Sequence, residues 1–555
     1  LRPLGLRLAI VLACALTMNG LPVQSISAST QKAYAAAKSE TGKQDVSQPE
    51  TKMGNVVLDG NDIAVNNVNG LTYKGFGMLS GNSTSDLLMD YKAEQPKAYA
   101  ELMQYLFGGN YPIMNHVKLE MGNDRNTSTG PESCTKRTEK EKANVLRNPG
   151  WQLAADARKI NPKIKVSILR WEAPVWAGTD EKIYQWYKET ILDAYEKYGY
   201  MVDYINPNIN EKWDVDSDVA FTKKFAKWIA AETKETIPDE KALALYHKIK
   251  LVVSDEAGTA SDSVVESMKS DSDFYNSVDV VGYHYSPWDD SNGGMKWLAQ
   301  TKDKEVWNSE AQATFSNSAF RPANNVKDPT TEGTGLGGTG SALEMANTFI
   351  KGFVQSRRSH VIYQPAIGSF YEGAQFSFKE LVSARDPWSG WIHYDAGLLM
   401  LAHISKFAVT GWENEDNTAG IWRAVPQASK CTADGTNPVN GRNGGENYMT
   451  LASPAKDNFS TMIVNDSEYP MEYKIQTKDM KLADDQNLEI WETRAADDGA
   501  FNENYMKCIG TTKADDNGVY TVKVNPYSAV TVTTLQVAGD EDACEKLVKK
   551  YYSSI

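Results

Sequence analysis

A glutamate beside an asparagine, at the end of a short apolar stretch, is the first feature that suggests chemistry. Residues 201–211 combine bulky strand-forming side chains with Pro207, which disfavours a helix, and the run ends at Asn210 and Glu211. A carboxyl group just past a strand end can pass a proton to a glycosidic oxygen, and a neighbouring amide can hold a sugar hydroxyl. Most of the 72 acidic residues are expected to be solvated surface charges, so this interpretation needs a second carboxylate.

Glu310 is the best candidate for the second carboxylate. It closes another short apolar run, residues 305–310, which also reads as a strand. Glycoside hydrolysis commonly uses two carboxyl groups that flank the scissile bond, one as acid and the other as nucleophile or base. Asp255 and Glu256 end a further predicted strand, but we interpret this acidic pair as structural.

The elements that must position these glutamates alternate between strands and helices. Apolar periodicity predicts eight strands, at 73–79, 113–121, 165–171, 201–211, 249–254, 278–285, 305–309 and 361–371. This alternation predicts an α/β fold, a (β/α)8 TIM barrel over residues 71–404. Glu211 would then end the fourth strand and Glu310 would end the seventh. Both would lie on the barrel face that carries catalytic groups.

The pattern changes after residue 405 to short strands separated by polar turns. It predicts an all-β sandwich over residues 405–537, and strands at 55–70, N-terminal to the barrel, are expected to complete it. The Gly-, Thr- and Asn-rich segment 322–341 is either a rim loop or a disordered insertion. Residues 538–555 form a tail that we leave unassigned.

The N-terminal residues read as an export signal followed by a leader. Basic residues, a short apolar run and small residues predict a signal peptide over 1–29, and the polar composition of 30–54 predicts a flexible leader. No later segment is long and apolar enough to span a membrane. We therefore expect a secreted, extracellular protein. The net charge of −14 argues against nucleic acid or an anionic membrane as a partner.

The cysteines permit disulfides but do not define them. Cys14 lies in the predicted signal, which leaves Cys134, Cys431, Cys508 and Cys544 with three possible connectivities. We favour a Cys431–Cys508 bond because both residues lie in the β-rich region. No Cys or His spacing resembles a zinc site, so no metal site is expected.

Seven short motifs occur in a fixed order along the chain. They are Gly75-Phe-Gly-Met-Leu-Ser-Gly-Asn-Ser-Thr84, Val117-Lys-Leu-Glu-Met-Gly-Asn-Asp124, Arg170-Trp-Glu-Ala-Pro-Val-Trp-Ala-Gly178, Asn210-Glu211, Val281-Gly-Tyr-His-Tyr285, Val306-Trp-Asn-Ser-Glu310 and Asp386-Pro-Trp-Ser-Gly390. Together they resemble glycoside hydrolase family 59, the galactocerebrosidase (galactosylceramidase) family, across residues 55–535. Each motif alone is weak, whereas the combination is specific.

The resemblance implies a retaining enzyme that cleaves terminal β-galactosyl groups, with Glu211 as acid/base and Glu310 as nucleophile. It also implies that Thr84, Trp171 and Asn210 hold the galactose. The implied partner is a β-galactoside, either a glycolipid of sphingolipid metabolism or an oligosaccharide. Retention requires no metal or organic cofactor, so none is expected.

Three further residues are candidates for the site, each with a structural role as the alternative. Tyr285 is expected to hydrogen-bond the nucleophile, His284 to line the pocket and Trp388 to shape its rim. Since the acid/base must carry a proton, we also expect the pKa of Glu211 to be raised, partly by the charge of Glu310.

Two departures from the family pattern concern the aglycone. Mammalian members have an arginine shortly after the eighth strand where this chain has Phe378, with Lys379 adjacent. They also carry a lectin-like domain after the sandwich, whereas this sequence ends at Ile555. The choice between ceramide and oligosaccharide aglycones and the oligomeric state stay open, as does the presence of a further domain.

Two alternatives to β-galactoside cleavage stay open. One is a retaining β-glycosidase of the same barrel clan with another sugar specificity. The other is a carbohydrate-binding protein without turnover, although the presence of both Glu211 and Glu310 at strand ends favours an enzyme.

Overall fold

The computed structural model of the protein describes residues 49–81, 84–125, 132–257, 260–285, 293–312, 336–337, 341–368, 381–414, 418–435, 439–494 and 504–539. The predictions for the export signal, for most of the leader and of segment 322–341, for Phe378, Lys379 and Cys544, and for the tail beyond residue 539 lie outside these residues. The helices and strands named below belong to the compact unit that begins at Glu50.

Within the described residues, one strand precedes a closed barrel of eight parallel strands. Strand β1 spans Lys52–Asp59, and the barrel consists of β2 (Gly75–Leu79), β3 (Met114–Met121), β4 (Lys165–Arg170), β5 (Tyr204–Ile209), β6 (Lys250–Glu256), β7 (Val280–His284), β8 (Glu305–Ala311) and β9 (His360–Tyr363). Pairing of β9 with β2 closes the barrel. Each of these strands overlaps one of the eight predicted ranges, although the eighth range, 361–371, is longer than β9, and the predicted α/β fold is confirmed.

Helices connect the barrel strands. The described part of the chain contains α1 (Thr84–Glu94), α2 (Pro96–Phe107), α3 (Pro149–Ile160), α4 (Asp180–Tyr198), α5 (Val215–Ala231), α6 (Glu240–Tyr246), α7 (Ala260–Ser270), α8 (Ser272–Ser277), α9 (Gly294–Thr301), α10 (Ala342–Ser356) and α11 (Ala396–Ser405). The apolar periodicity of residues 88–107 predicts a single helix there, whereas the structure has α1 and α2. Pro96 separates them because its ring suits a first helical turn but not a helix interior.

The barrel interior is packed with side chains. Every barrel strand except β3 contributes one residue to a buried cluster, which consists of Leu79, Leu169, Tyr204, Val252, Val280, Trp307 and Ile362. The interior is therefore a core and not a pore, and space for a ligand is left only at the barrel ends.

Short strands follow the barrel before the chain enters a two-sheet sandwich. A small sheet is formed by β10 (Ile367–Gly368), β11 (Val382–Asp386) and β12 (Trp391–Tyr394). The sandwich strands are β13 (Arg423–Ala424), β14 (Lys430–Cys431), β15 (Asn447–Ala452), β16 (Phe459–Asn465), β17 (Met471–Lys478), β18 (Asn487–Arg494), β19 (Asn504–Lys513), β20 (Val519–Val524) and β21 (Ser528–Thr533). Among the described helices, none has both the length and the apolar character needed to cross a bilayer.

The N-terminal strand belongs to the sandwich. Strand β1 pairs in parallel with β17, with Val56 opposite Ile475, and β20 completes this three-stranded sheet. Val56 and Leu58 are buried in a core shared with Tyr473 and with residues of the larger sheet. The predicted fold class, a barrel with a sandwich that recruits a strand N-terminal to the barrel, is thus confirmed.

The predicted Cys431–Cys508 disulfide is wrong, because Cys134, Cys431 and Cys508 are all free. Cys431 lies on β14, which pairs with β15 near one end of the seven-stranded sheet. Cys508 lies on β19 at the opposite edge of the same sheet. Although Cys431 and Cys508 lie in the same β-rich region, they are therefore not neighbours in the structure.

Candidate active site

Glu211 lies directly after β5, in a backbone conformation that is unusual for its residue type. Its φ of 55° falls in the left-handed region, which costs free energy for a side chain other than glycine. The backbone N–H of Glu211 donates to the carbonyl of Asp255, and that of Asn210 donates to the carbonyl of Arg170. Hydrogen bonds to the two neighbouring strand ends therefore hold this strained turn in place.

Glu310 lies within β8 and is buried. Its Oε1 accepts a hydrogen bond of 2.6 Å from the Tyr285 hydroxyl, while its Oε2 accepts none from the described residues. Tyr285 also donates its backbone N–H to the Glu310 carbonyl at 2.7 Å. One carboxylate oxygen is thus fixed by the protein and the other is left available.

The barrel brings the two glutamates together, as the strand count predicted. One carboxylate oxygen of Glu211, one of Glu310 and a ring nitrogen of His284 all lie within 4.8 Å of one another. Retaining glycosidases place their carboxyl groups about 5–5.5 Å apart, whereas inverting ones leave about 6.5–9.5 Å for a water molecule. The spacing in this site suits direct attack by a carboxylate.

His284 lies between the two carboxylates and is fully buried. Its Nδ1 is 2.9 Å from Oε1 of Glu211 and 3.6 Å from Oε2 of Glu310, and its Nε2 is 3.4 Å from Oδ1 of Asp255. Burial lowers the pKa of His284, but the charge of Glu310 and the hydrogen bonds to Asp255 and Glu211 outweigh it and raise the pKa to about 9. These contacts favour the charged, imidazolium form of His284.

Asp255 supports His284 from the side away from the glutamates. It is fully buried, and it accepts hydrogen bonds from Nζ of Lys118 at 3.0 Å and from Nδ2 of Asn206 at 2.7 Å. Burial raises the pKa of Asp255, but Lys118 and His284 hold it far below its usual value, so it stays ionised. We interpreted the pair Asp255 and Glu256 as structural, and the contact with His284 ties Asp255 to the site.

The expectation of a raised pKa for Glu211 is wrong. Burial does raise the pKa, but hydrogen bonds from His284 and Tyr285 outweigh burial and lower it below its usual value. The sequence did not reveal that an imidazolium lies 2.9 Å from this carboxylate.

Three residues assigned to galactose binding lie in different settings. Asn210 is fully buried, and neither its amide oxygen nor its amide nitrogen has a partner among the described residues. Trp171 directly follows β4 and packs, half-buried, against the interior cluster. Thr84 is buried at the start of α1, where its hydroxyl donates to the carbonyl of Ile367 at 2.9 Å.

The three further candidates also lie in different environments, and these are Tyr285, His284 and Trp388. Tyr285 hydrogen-bonds Glu310, which was its expected contact. Both ring nitrogens of His284 face carboxylates, and the ring is fully buried. Trp388 lies in the turn between β11 and β12 with 74% of its surface exposed, and its carbonyl accepts a hydrogen bond from Gln95. No described contact joins Trp388 to the carboxylates.

The sequence analysis missed Lys118 and Asn206. A lysine within the predicted strand at 113–121 was the signal that could have found the first of them. No such signal marked Asn206, because an amide in a predicted strand has many uses.

Carboxylate and imidazole groups are also common metal ligands, so the same cluster is a candidate metal site. Among the described residues, Glu211, His284 and Glu310 form the one group whose potential ligand atoms lie close enough to share an ion. A metal would need the Nδ1 lone pair of His284. The raised pKa of His284 favours a proton at that nitrogen instead.

A (β/α)8 barrel with paired carboxylates at the ends of its fourth and seventh strands is an arrangement typical of glycoside hydrolases. The sequence profile described as Glycosyl hydrolase family 59 matches residues 73–406, more than half of the chain. The chain therefore belongs to glycosyl hydrolase family 59, as its motifs predicted.

Curated relatives support this membership. The chain is 25% identical over 357 residues to a galactocerebrosidase of Danio rerio, an alignment that covers 62% of this chain and 46% of the relative. It is 27% identical over 350 residues to a galactocerebrosidase of Homo sapiens, covering 62% and 44% of the two chains. The alignments thus span less than half the length of these relatives.

Solved structures show a similar fold at low sequence identity. SrfJ from Salmonella typhimurium superposes with a TM-score of 0.56 at 12% identity, covering 89% of this chain and 94% of SrfJ. A family 30 subfamily 8 xylanase from Clostridium acetobutylicum gives a TM-score of 0.52 at 12% identity, covering 86% and 99%. These likenesses concern the barrel and its sandwich.

Proposed function

We propose that the protein is a retaining glycoside hydrolase that removes terminal β-galactosyl groups by double displacement. Glu310 is the nucleophile and Glu211 is the acid/base. The observation that carries this proposal is the approach of the two carboxylates to within 4.8 Å at the ends of the fourth and seventh barrel strands. That spacing is closer to the separation of about 5–5.5 Å found in retaining enzymes than to the about 6.5–9.5 Å of inverting ones.

The hydrogen bonds of Glu310 support its role as nucleophile. Tyr285 binds Oε1, so Oε2 is the oxygen available to attack the anomeric carbon. As that bond forms, the glycosidic bond breaks and the leaving oxygen takes a proton from Glu211. In the second step the Glu211 carboxylate takes a proton from water, whose oxygen displaces Glu310 and releases the sugar.

The sugar-binding role of Asn210 is supported by its unused amide. A buried amide with no hydrogen bond is costly, and such groups commonly await a ligand or water. Since Asn210 directly precedes Glu211, a hydroxyl next to the anomeric carbon is the natural partner. Trp171 offers a partly exposed ring at the neighbouring strand end, against which a sugar face can pack. Thr84 is proposed as a further contact that accepts a hydrogen bond while donating to Ile367.

The preference for galactose is proposed from the relatives, which are named galactocerebrosidases. The aglycone side is less well supported, because Phe378 replaces the family arginine and lies outside the described residues. We therefore propose hydrolysis of soluble β-galactosides, with galactosylceramide cleaved less efficiently than by a mammalian member. Secretion is proposed from the composition of residues 1–29.

A substrate panel tests this function. The protein is assayed on aryl β-galactoside, aryl β-glucoside, a β-galactosyl oligosaccharide and galactosylceramide, with the Glu310→Gln variant as the control for contaminating hydrolase. We expect the aryl β-galactoside to be hydrolysed at least tenfold faster than the glucoside. A preference for the glucoside would favour another specificity on the same barrel. Binding of sugars without turnover of any substrate would favour a carbohydrate-binding protein.

A further inference from the structure

His284 is placed to exchange a proton with the acid/base. Its Nδ1 is 2.9 Å from Oε1 of Glu211, a hydrogen-bond distance, and 3.6 Å from Oε2 of Glu310. The ring is fully buried, so bulk water does not compete for these contacts. The contact lowers the pKa of Glu211 and raises that of His284 to about 9, so it favours a proton on the ring rather than on the carboxyl group.

The other ring nitrogen is held by an anchored carboxylate. Nε2 of His284 faces Oδ1 of Asp255 at 3.4 Å, and Asp255 is itself fixed by Lys118 and Asn206. An ionised carboxylate beside Nε2 favours a proton on that nitrogen in both the charged and the neutral ring. The proton on Nδ1 is therefore the one that the ring can release.

On the basis of the function proposed above, we propose that His284 stores the proton that Glu211 delivers to the leaving group. Asp255 acts as a positioning residue that fixes which ring nitrogen releases it. Before reaction, His284 is doubly protonated and both Glu211 and Glu310 are ionised. The Nδ1 proton passes to Oε1 of Glu211 along the existing contact, which leaves a neutral ring with a proton on Nε2.

The proton transfer from His284 to Glu211 is coupled to the chemical step. As Oε2 of Glu310 bonds the anomeric carbon and the glycosidic bond breaks, the leaving oxygen takes the proton from Glu211. Glu310 loses its charge in the ester, and this charge is the largest favourable influence on protonated His284. Hydrolysis of the ester restores the Glu310 carboxylate, and the proton that Glu211 takes from water then returns to Nδ1.

Charges around His284 come from several strands. Glu211 follows β5, Asp255 and Glu256 end β6, and Glu310 lies in β8. Tyr285 adds a hydroxyl, and Lys118 of β3 adds a positive charge that acts through Asp255. The charge of Glu310 and the hydrogen bonds to Asp255 and Glu211 raise the pKa of the ring to about 9, so its charged form is lost as the pH rises through that value. Activity that depends on the stored proton is lost over the same range.

Two β-galactosides with different leaving groups test the proposal. A 2,4-dinitrophenyl group leaves without a proton, whereas an alkyl group requires one. In His284→Asn we expect kcat/KM for methyl β-galactoside to fall by roughly 10²-fold to 10⁴-fold, with a change of less than tenfold for the dinitrophenyl substrate. We also expect the alkaline limb of the wild-type profile on the methyl substrate to shift toward acid. Equal losses on both substrates, or an unshifted alkaline limb, would overturn the proposal.

Two further variants separate proton storage from folding. Asp255→Asn leaves the buried Lys118 charge unpaired, so it is also made together with Lys118→Met, which removes both charges. Asp255→Asn and the double variant are both expected to lose more activity on the methyl substrate than on the dinitrophenyl substrate, as His284→Asn does. His403 is the matched control, because it is fully buried and hydrogen-bonded at both nitrogens by threonines of the sandwich. His403→Asn is expected to leave both the substrate ratio and the pH profile unchanged.

A measurement without turnover distinguishes this proposal from the proposed function. The ¹³Cε1 signal of His284 is identified as the one that disappears in His284→Asn. It is expected to report an imidazolium at pH 8 in the wild-type protein and a neutral ring at the same pH in Glu310→Gln. A neutral His284 at pH 8 in the wild type overturns proton storage whatever the activity. A charged His284 in a protein that cleaves no galactoside overturns the proposed function instead.

Discussion

Glu310 has one carboxylate oxygen bound to Tyr285 and the other without a hydrogen bond from the described residues. Glu310→Gln keeps the volume of the side chain but removes the attacking oxyanion. We expect turnover of aryl β-galactoside to fall by roughly 10⁴-fold or more, with an unchanged circular dichroism spectrum. Activity within tenfold of wild type would show that Glu310 is not the nucleophile.

Glu256→Gln is the matched control for this change. Glu256 is also a buried carboxyl at the end of a barrel strand, and burial raises its pKa to about 7. Its Oε1 accepts a hydrogen bond from the backbone N–H of Trp213, a contact that glutamine can keep. We expect this variant to stay within tenfold of wild type.

Residues that act alone at strand ends could be predicted, whereas residues that act as a network could not. Glu211 and Glu310 each follow a recognisable apolar run, and motif order gave them roles. The contact of His284 with Asp255, and of Asp255 with Lys118, joins residues far apart in sequence. Periodicity does not state which inward side chains share a layer of the barrel. The expected pKa of Glu211 was wrong for this reason.

Strand β7 approaches its neighbours closely beneath the site. A Cβ atom added at Gly282 would collide with Oγ of Ser309 and lie 2.7 Å from Oδ1 of Asp255. We expect Gly282→Ala to lower the free energy of unfolding by about 1–3 kcal/mol, because a packed interior resists added volume. The shift of Asp255 should also lower activity, and thermal unfolding with parallel kinetics measures both effects.

Gly178 provides the control for Gly282→Ala. It has no heavy atom within 4 Å of the added Cβ, so Gly178→Ala should change neither stability nor activity. If both alanine variants unfold at the wild-type temperature, the close approach of β7 to Ser309 and Asp255 is contradicted.

Elements with a clear apolar period were predicted, and those without one were missed. The eight barrel strands are buried almost throughout, and each contains at least two apolar or aromatic residues. Strand β19 is an edge strand with mostly exposed or half-buried residues, so its sequence carries little strand signal. Helices α6 and α8 are two turns or less and lack the length on which a helical period depends.

At the scale of the whole molecule, β1 joins the start of the described chain to the sandwich that follows the barrel. Leu58 is fully buried in the sandwich core, whereas its neighbour Val57 is 52% exposed on the other face of the strand. We expect Leu58→Ala to lower the free energy of unfolding by about 2–5 kcal/mol, because it removes buried methyl groups and leaves a cavity. Denaturant unfolding followed by tryptophan fluorescence measures this change.

Val57→Ala is the internal control for β1, since it changes an exposed side chain on the same strand. We expect a change below about 0.5 kcal/mol. A cost for Val57→Ala as large as that for Leu58→Ala would contradict the register of β1 against β17, because a shift by one residue exchanges the two faces.

The central claim is that a barrel of family 59 positions Glu211 and Glu310 for double displacement on a β-galactoside. The most direct measurement is the anomeric configuration of the first product, followed by ¹H NMR during hydrolysis of an aryl β-galactoside before the released sugar mutarotates. Two inversions at the anomeric carbon give net retention, so β-galactose should appear first and α-galactose only later. If α-galactose appears first, water attacks directly, and the assignment of Glu310 as nucleophile is wrong.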